Sequence, residues 1–151
     1  MTGFQINKES FTLMEMMLVV AILAMIVTLS VPSILRARIS ANEQSAIGAL
    51  KNLHTAIETY KEVYNNTYPA NLSVLANDSA PFIPSILVTG CNNASAPNYH
   101  GYQFCYSTPN SYTYACNATP LIMNTTGIRI FKVTKSGVIE ELRGANWTAL
   151  E

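Results

Sequence analysis

An apolar segment near the N-terminus constrains this chain more than any other feature. Residues 16–27 are twelve consecutive apolar positions, and apolar side chains remain in the majority through residue 35. A helix of ~20 such residues is long enough to cross a bilayer core of ~30 Å. The run passes into an amphipathic pattern without the small-residue cleavage site that ends a secretory signal peptide. The sequence therefore predicts a membrane-spanning helix over residues 11–35.

One ionisable residue lies at the start of this segment. Glu15 comes directly before the apolar run. A charged carboxylate is costly in lipid and is expected to need a cationic partner. Glu15 is therefore a candidate functional residue.

The residues around Glu15 resemble the cleavage and methylation segment of type IV pilins and type II secretion pseudopilins. The resemblance rests on residues 10–15, SFTLME, on the apolar run that follows, and on Pro32, where family members often carry a helix-bending proline. It implies that prepilin peptidase cuts between Ser10 and Phe11, and that the new N-terminus at Phe11 is N-methylated. The family almost always has glycine before the cut, whereas this chain has Ser10.

The same resemblance implies a role for Glu15 in assembly. Within a filament, its carboxylate would pair with the amine of Phe11 on a neighbouring subunit. An unpaired carboxylate in an apolar filament core is costly, so the pair would select the axial register of the subunits. The alternative is a boundary residue whose side chain reaches the lipid headgroups.

Beyond the apolar segment, the helix is expected to continue to about residue 64. Six apolar residues recur at spacings of 4, 3, 4, 3 and 4, which is typical of one stripe along a helix: Ala46, Leu50, Leu53, Ile57, Tyr60 and Tyr64. Asn65 and Asn66 are expected to end the helix, and Pro32 is expected to bend it near residues 28–32. The chain thus divides into a leader (1–10), a transmembrane and filament-core helix (11–35), an amphipathic continuation (36–65) and a globular head (66–151).

The head carries the alternating apolar and polar residues that are typical of β-strands. Strands are expected at residues 102–107, 112–116, 128–134 and 138–142, separated by turn-forming residues. A helical turn is expected at residues 72–76 and a further strand at residues 86–89. The predicted fold class is therefore α+β, with a long N-terminal helix packed against a small antiparallel sheet.

Three cysteines suit an oxidising compartment and allow one disulfide with one thiol left over. Cys105 and Cys116 fall on the two strands of a predicted hairpin, which favours a bond between them. A bond from either of them to Cys91 is the alternative. The cysteine spacings include no CxxC pair, so no metal site is predicted.

Charge and composition argue against several function classes. The chain has 9 Lys and Arg against 9 Asp and Glu, which offers no electrostatic reason to bind nucleic acid. No grouping of serine, cysteine, histidine or carboxylate suggests a catalytic dyad or triad, and the lone His54 and His100 are expected to be structural. No cofactor is predicted, and an enzyme is not expected.

The resemblance implies a structural subunit of a type IV pilus or related filament. The subunit would cross the inner membrane once, with its C-terminus outside the cytoplasm, and would then polymerise through its N-terminal helix into an extracellular or periplasmic filament. Its partners would be copies of itself or other pilins, prepilin peptidase and the inner-membrane assembly platform.

Two alternatives to a pilus subunit stay open. One is a pseudopilin of a type II secretion system. Major pseudopilins typically bind calcium through head carboxylates, and here the head acids are few and scattered: Asp78, Glu140, Glu141 and Glu151. The other is an anchored binding module that does not polymerise, which would leave Glu15 unexplained.

Overall fold

The computed structural model describes residues 10–77, 81–88, 98–110, 112–143 and 146–150. The chain forms two compact units, Met1–Arg36 and Ala37–Glu151. The first unit carries the apolar segment, and the second unit carries the head.

One long helix, α1, runs over Leu13–Val63. It confirms the expected helix to within two residues at its start and one at its end, which is the usual uncertainty of a helix boundary. Beyond its end, φ is 51° at Asn65 and 61° at Asn66. Asparagine tolerates this left-handed conformation better than most residues, so the pair stops the helix as expected. Pro32 lies inside α1, which continues past it, and the bend expected there stays a prediction.

The first unit presents its apolar side chains to the outside. Every described side chain in residues 11–36 is exposed, with Phe11 exposed to 75 %. Within the described part of the chain, α1 is the one helix long and apolar enough to cross a membrane, and its apolar stretch is not buried. An apolar surface of this length is unfavourable in water, so lipid or other protein chains have to cover it.

In the second unit, the helical stripe packs against the sheet. The first four stripe residues are completely buried: Ala46, Leu50, Leu53 and Ile57. Tyr60 is half-buried, and its ring stacks on that of Tyr64 with the centroids 4.3 Å apart. Tyr64 is 41 % exposed because it follows the last residue of α1. The stripe is therefore confirmed as far as Tyr60. The prediction that Tyr64 extends the buried stripe is wrong.

Five strands form one antiparallel sheet whose strands are neighbours in the same order as in the chain. They are β1 (Tyr102–Asn110), β2 (Thr113–Pro120), β3 (Phe131–Thr134), β4 (Ile139–Arg143) and β5 (Asn146–Ala149). A short helix, α2 (Leu72–Ala76), confirms the expected helical turn. The face of the sheet towards α1 fills the core, mainly with Phe104, Tyr114, Cys116, Phe131 and Val133. The α+β class predicted from the sequence is confirmed.

Two elements of the head differ from the expectation. The strand at residues 86–89 is wrong, because Ser85–Leu87 form one turn of 3-10 helix that buries Leu87; residue 89 lies outside the described residues. β5 is missing from the expectation, because its sequence NWTA is too short to show a clear strand pattern. It is a strand because it pairs with β4, where Leu142 lies opposite Trp147.

The strand boundaries also differ. β1 and β2 extend further than expected, across a register shift next to the turn that joins them. β3 begins at Phe131 rather than at residue 128. The reason is that the backbone N–H groups of Ile128 and Arg129 donate to the side chain of Glu43 on α1 instead of to a strand.

The strand register corrects the expected disulfide. Cys105 lies opposite Asn117 and Cys116 lies opposite Tyr106, so the two cysteines point to opposite faces of the sheet. Cys116 is a free, buried thiol on the core face, whereas Cys105 is disulfide-bonded. The expected Cys105–Cys116 bond is therefore wrong. Cys91, the alternative partner, lies outside the described residues.

Candidate assembly segment

The first turn of α1 holds the glutamate that precedes the apolar run. Oε2 of Glu15 accepts hydrogen bonds from the backbone N–H of Thr12 at 2.9 Å and from its hydroxyl at 3.0 Å. The N–H of Glu15 donates to the Thr12 hydroxyl oxygen at 3.2 Å. This reciprocal arrangement is a capping box, which satisfies N–H groups that have no partner inside the helix. Its sequence signal, TLME, could have been found by the spacing of threonine and glutamate alone.

The capping box explains how a carboxylate is held at the edge of an apolar helix in a single chain. Local donors satisfy part of its hydrogen-bonding capacity, and the helix dipole favours negative charge in the first turn. Glu15 is exposed, as are Ser10 and Phe11 just before the helix. The structure therefore places the expected cleavage position and the expected assembly residue together at one exposed helix start.

Polar side chains within the apolar segment bond to the helix itself. The hydroxyl of Thr28 donates to the backbone carbonyl of Ala24 at 2.9 Å. The hydroxyl of Ser30 donates to the backbone carbonyl of Ile26 at 2.9 Å. Bonds of this kind satisfy hydroxyl groups where lipid excludes water. Pro32 has no N–H, so it cannot donate to the carbonyl of Thr28 one turn earlier.

An ion cluster of Glu43, Arg129 and Glu141 holds α1 to the sheet of the second unit. The guanidinium of Arg129 lies 2.8 Å from Oε2 of Glu43 and 3.0 Å from Oε2 of Glu141. Both carboxylates are almost fully buried, with side-chain exposures of 7 % and 2 %, and Arg129 is 37 % exposed. Oε1 of Glu43 also accepts the backbone N–H groups of Ile128 and Arg129. The cluster therefore joins α1, β4 and the β2–β3 loop (residues 121–130).

Pairing outweighs desolvation in this ion cluster. Burial alone would lower the pKa of Arg129, but its hydrogen bonds to Glu43 and Glu141 outweigh that effect, and the pKa is raised. Sequence reasoning missed the cluster because its members lie 86 and 12 positions apart. No local pattern marks charges that meet only after folding.

The β2–β3 loop makes further contacts with its surroundings. Asn42 donates to the carbonyl of Thr126 at 2.9 Å, and the hydroxyl of Tyr102 donates to the carbonyl of Arg129 at 2.9 Å. Burial, followed by the charge of the nearby glutamate of the ion cluster, raises the pKa of Tyr102. Gly127 packs so closely on this ring that a Cβ would lie 2.1 Å from the tyrosine oxygen. The loop therefore needs glycine at this position.

A second polar network lies near the end of α1. The hydroxyl of Tyr68 donates to Glu58 at 2.9 Å, and Nζ of Lys61 lies 3.3 Å from both Glu58 and that hydroxyl. His54 shares a hydrogen bond with the hydroxyl of Tyr114, which gives this lone histidine a structural contact. These bonds secure the chain reversal that follows the helix.

Two of the four scattered head acids are paired with cations. Oε2 of Glu140 lies 2.8 Å from Nζ of Lys132, and Glu141 belongs to the ion cluster. Asp78 and Glu151 lie outside the described residues. Among the residues that the structure describes, no three His, Cys, Asp or Glu side chains come together as a metal site.

Comparisons with known proteins point to one family. The chain is 30 % identical over 93 residues to the type IV wide pilus major component PilA4 of Thermus thermophilus, across 62 % of this chain and 70 % of that protein. It is 35 % identical over 64 residues to the type II secretion system core protein G of Pectobacterium carotovorum subsp. carotovorum. It is 36 % identical over 63 residues to the core protein G of Aeromonas hydrophila. These two matches cover 42 % of this chain and 40 % and 43 % of the relatives.

No protein-family model and no solved structure matches the chain. The names of the three relatives describe a pilus component and core proteins of a secretion system, rather than enzymes. The match to the pilus component spans more than two thirds of that protein at 30 % identity. This match is consistent with the N-terminal segment, which resembles that of pilins, and with the long helix packed on an antiparallel sheet. The chain therefore belongs to the type IV pilin and pseudopilin family.

Proposed function

We propose that the chain is the structural subunit of a type IV pilus-like filament, polymerised through its N-terminal helix. The observation that carries this proposal is the apolar segment of residues 11–35, whose described side chains are all exposed in the single chain. Lipid can cover such a surface before assembly, and the helices of other subunits can cover it afterwards. Repeated head-to-tail contacts that do not close then produce a filament.

Processing precedes assembly in this proposal. Prepilin peptidase removes the leader, residues 1–10, by cutting between Ser10 and Phe11, and the new amine of Phe11 is methylated. The exposure of both residues ahead of the first turn of α1 supports this step.

Glu15 then takes the Phe11 amine of a neighbouring subunit as its partner. The capping box supports this role, because it holds the carboxylate near the start of the helix, where the new amine is created. An unpaired carboxylate in an apolar filament core would be costly, so only a neighbour in the correct axial register relieves that cost.

The subunit is proposed to cross the inner membrane once before assembly, with its head outside the cytoplasm. The assembly platform then moves it into an extracellular or periplasmic filament of identical or mixed pilins. The disulfide at Cys105 supports this orientation, because disulfides persist in oxidising compartments.

A pseudopilin of a type II secretion system is the second candidate. The two core protein G relatives, at 35 % and 36 % identity, favour it, whereas the longer match favours a pilus. Deletion of the gene distinguishes the two: loss of surface filaments indicates a pilus, and retention of exported proteins in the periplasm indicates a secretion system.

The test of the proposal combines processing with filament yield. Mass spectrometry of the mature chain should begin at Phe11 with an added methyl group. Glu15→Ala should leave membrane abundance unchanged or higher, because it removes a charge that lipid disfavours. The same variant should lower the yield of sheared filaments, because the amine of the incoming subunit then lacks its partner. Glu15→Asp should be intermediate, since its carboxylate has a shorter reach.

A control variant separates pairing from helix capping. Thr12→Val removes the hydroxyl of the capping box but keeps the Glu15 carboxylate, so it should lower filament yield less than Glu15→Ala does. Equal losses in the two variants would assign the effect to capping. Normal filament yield from Glu15→Ala, or an intact Met1 in cells with active prepilin peptidase, would contradict the proposal.

A further inference from the structure

A cleft of about 440 Å³ lies in the head between α1 and the segment of residues 81–88. Its volume falls within the ~300–1,000 Å³ that ligand pockets typically occupy. Two of the α1 residues that line it, Ala49 and Ala56, are buried. Their side chains are single methyl groups, so α1 leaves space here that larger side chains would fill.

Uncharged polar side chains of α1 form one wall of the cleft: Asn52, Thr55 and Thr59. Positions three and four apart lie on one face of a helix, so these side chains form a row. The Thr55 hydroxyl donates to the carbonyl of Lys51 at 3.1 Å, and the Thr59 hydroxyl donates to the carbonyl of Thr55 at 2.8 Å. Each hydroxyl oxygen keeps a lone pair that can accept a further hydrogen bond, and the Asn52 amide can both donate and accept.

The rest of the lining is aromatic and aliphatic: Phe82, Ile83, Pro84, Leu87 and Tyr99. Hydrogen bonds fix the backbone that carries the two rings. The N–H of Phe82 donates to the carbonyl of Leu75 at 2.9 Å, and Tyr99 exchanges two N–H bonds with Tyr102. The Phe82 ring also packs edge-on against the ring of Tyr60, with the centroids 5.9 Å apart. A ligand therefore meets a pre-organised surface, and little conformational entropy is lost on binding.

We propose that this cleft binds a small neutral saccharide. A sugar ring carries C–H groups on its faces, which pack on aromatic rings, and hydroxyl groups at its edge, which donate and accept hydrogen bonds. The faces match Phe82 and Tyr99, and the edge supplies the donors that the oxygens of Thr55 and Thr59 can accept. All residues that carry this argument belong to the second unit, so the site is complete within one head and does not depend on filament assembly.

Other classes of ligand match the lining less well. Among the described residues that line the cleft, none is charged, so the charge of a phosphate, a carboxylate or an amine would be buried without compensation. The charged residues next to this row contact other groups: Lys51 lines a different cavity, and Glu58 bonds with Lys61 and Tyr68. A purely apolar ligand would cover the Asn52 amide and the threonine oxygens without giving them partners, which is unfavourable.

A printed array of neutral and sialylated oligosaccharides tests the class of ligand. The full-length chain is applied in a polyoxyethylene detergent, because a detergent built on a sugar would compete for the cleft. Neutral oligosaccharides should bind at least as strongly as sialylated ones with the same core. Binding that requires the sialic acid, or binding to no oligosaccharide, would overturn the inference.

Two variants locate the binding. Thr55→Val together with Thr59→Val removes both acceptors and keeps the shape of the side chains. It should raise the Kd of the strongest neutral oligosaccharide, measured by saturation-transfer NMR, at least about tenfold, because two hydrogen bonds are lost. Asn52→Leu should also abolish binding, since leucine fills part of the cleft and removes its amide.

Thr125→Val is the matched control, because it changes an exposed threonine outside the cleft. It should leave the Kd unchanged. All the substituted residues are exposed, so the melting temperature should change little in any of these variants. An unchanged Kd in the double valine variant, or an equal loss in Thr125→Val, would refute binding at this cleft.

Discussion

Replacement of Arg129 by methionine is a direct test of the ion cluster that holds α1 to the sheet. Methionine keeps an unbranched side chain but removes the guanidinium that lies 2.8 Å from Glu43 and 3.0 Å from Glu141. Two almost fully buried carboxylates would then lie in the head without their cation. Removal of one partner from a buried ion pair typically costs about 3–5 kcal/mol.

We expect the lower end of that range, about 3 kcal/mol, for Arg129→Met. The native side chain is 37 % exposed, so water can replace part of the lost guanidinium. Oε1 of Glu43 also keeps its bonds from the backbone N–H groups of residues 128 and 129. At about 4 °C for each kcal/mol in a domain of this size, the melting temperature should fall by about 12 °C.

The assay is thermal unfolding of the full-length chain in nonionic detergent, followed by near-UV circular dichroism at about pH 7. The raised pKa of Arg129 keeps the native side chain charged at this pH, and the stability that the raised pKa contributes is lost only in strong base.

Lys135→Met is the matched control, because it removes an exposed cation from the turn between β3 and β4. It should change the melting temperature by less than about 2 °C. Equal melting temperatures for Arg129→Met and Lys135→Met at neutral pH would refute the reasoning.

Glycine substitutions and thiol labelling test the packing of the head at other places. Gly127→Ala should destabilise the head by about 3 kcal/mol, because its Cβ would overlap the buried tyrosine of β1, whereas Gly48→Ala has open space and should stabilise α1 by about 1 kcal/mol in thermal unfolding. A tolerated Gly127→Ala would show that this loop packing is wrong. Cys116 should resist alkylation in the folded chain, because burial raises its pKa to about 12, and fast labelling near neutral pH would contradict its burial. Non-reducing peptide mapping should find Cys105 linked to Cys91 by a disulfide. A peptide linked through Cys116 would count against the strand register.

Features that depend on near neighbours in the chain could be predicted from the sequence. The apolar segment, the stripe at helical spacing and the stop at Asn65 and Asn66 each depend on residues within a few positions of one another. The same holds for α2 at Leu72–Ala76. The motif around Glu15 lies in such a local stretch, which is why the family could be recognised from it.

The faces of the strands could not be predicted in the same way. The sequence placed Cys105 and Cys116 on two neighbouring strands, and this placement is confirmed. Side chains alternate between the two faces of a sheet, so a difference of one residue in register reverses the outcome. The structure pairs Cys105 with Asn117, and this register places the two thiols on opposite sides.

Contacts between distant residues were decided by the tertiary structure alone. Glu43 and Arg129 lie 86 positions apart, and nothing in either local sequence marks the other as its partner. The short segment Asn146–Ala149 becomes a strand because it pairs with the edge of β4. In both cases the stabilising interactions are between groups that only folding brings together. A sequence pattern confined to neighbouring residues therefore cannot reveal them.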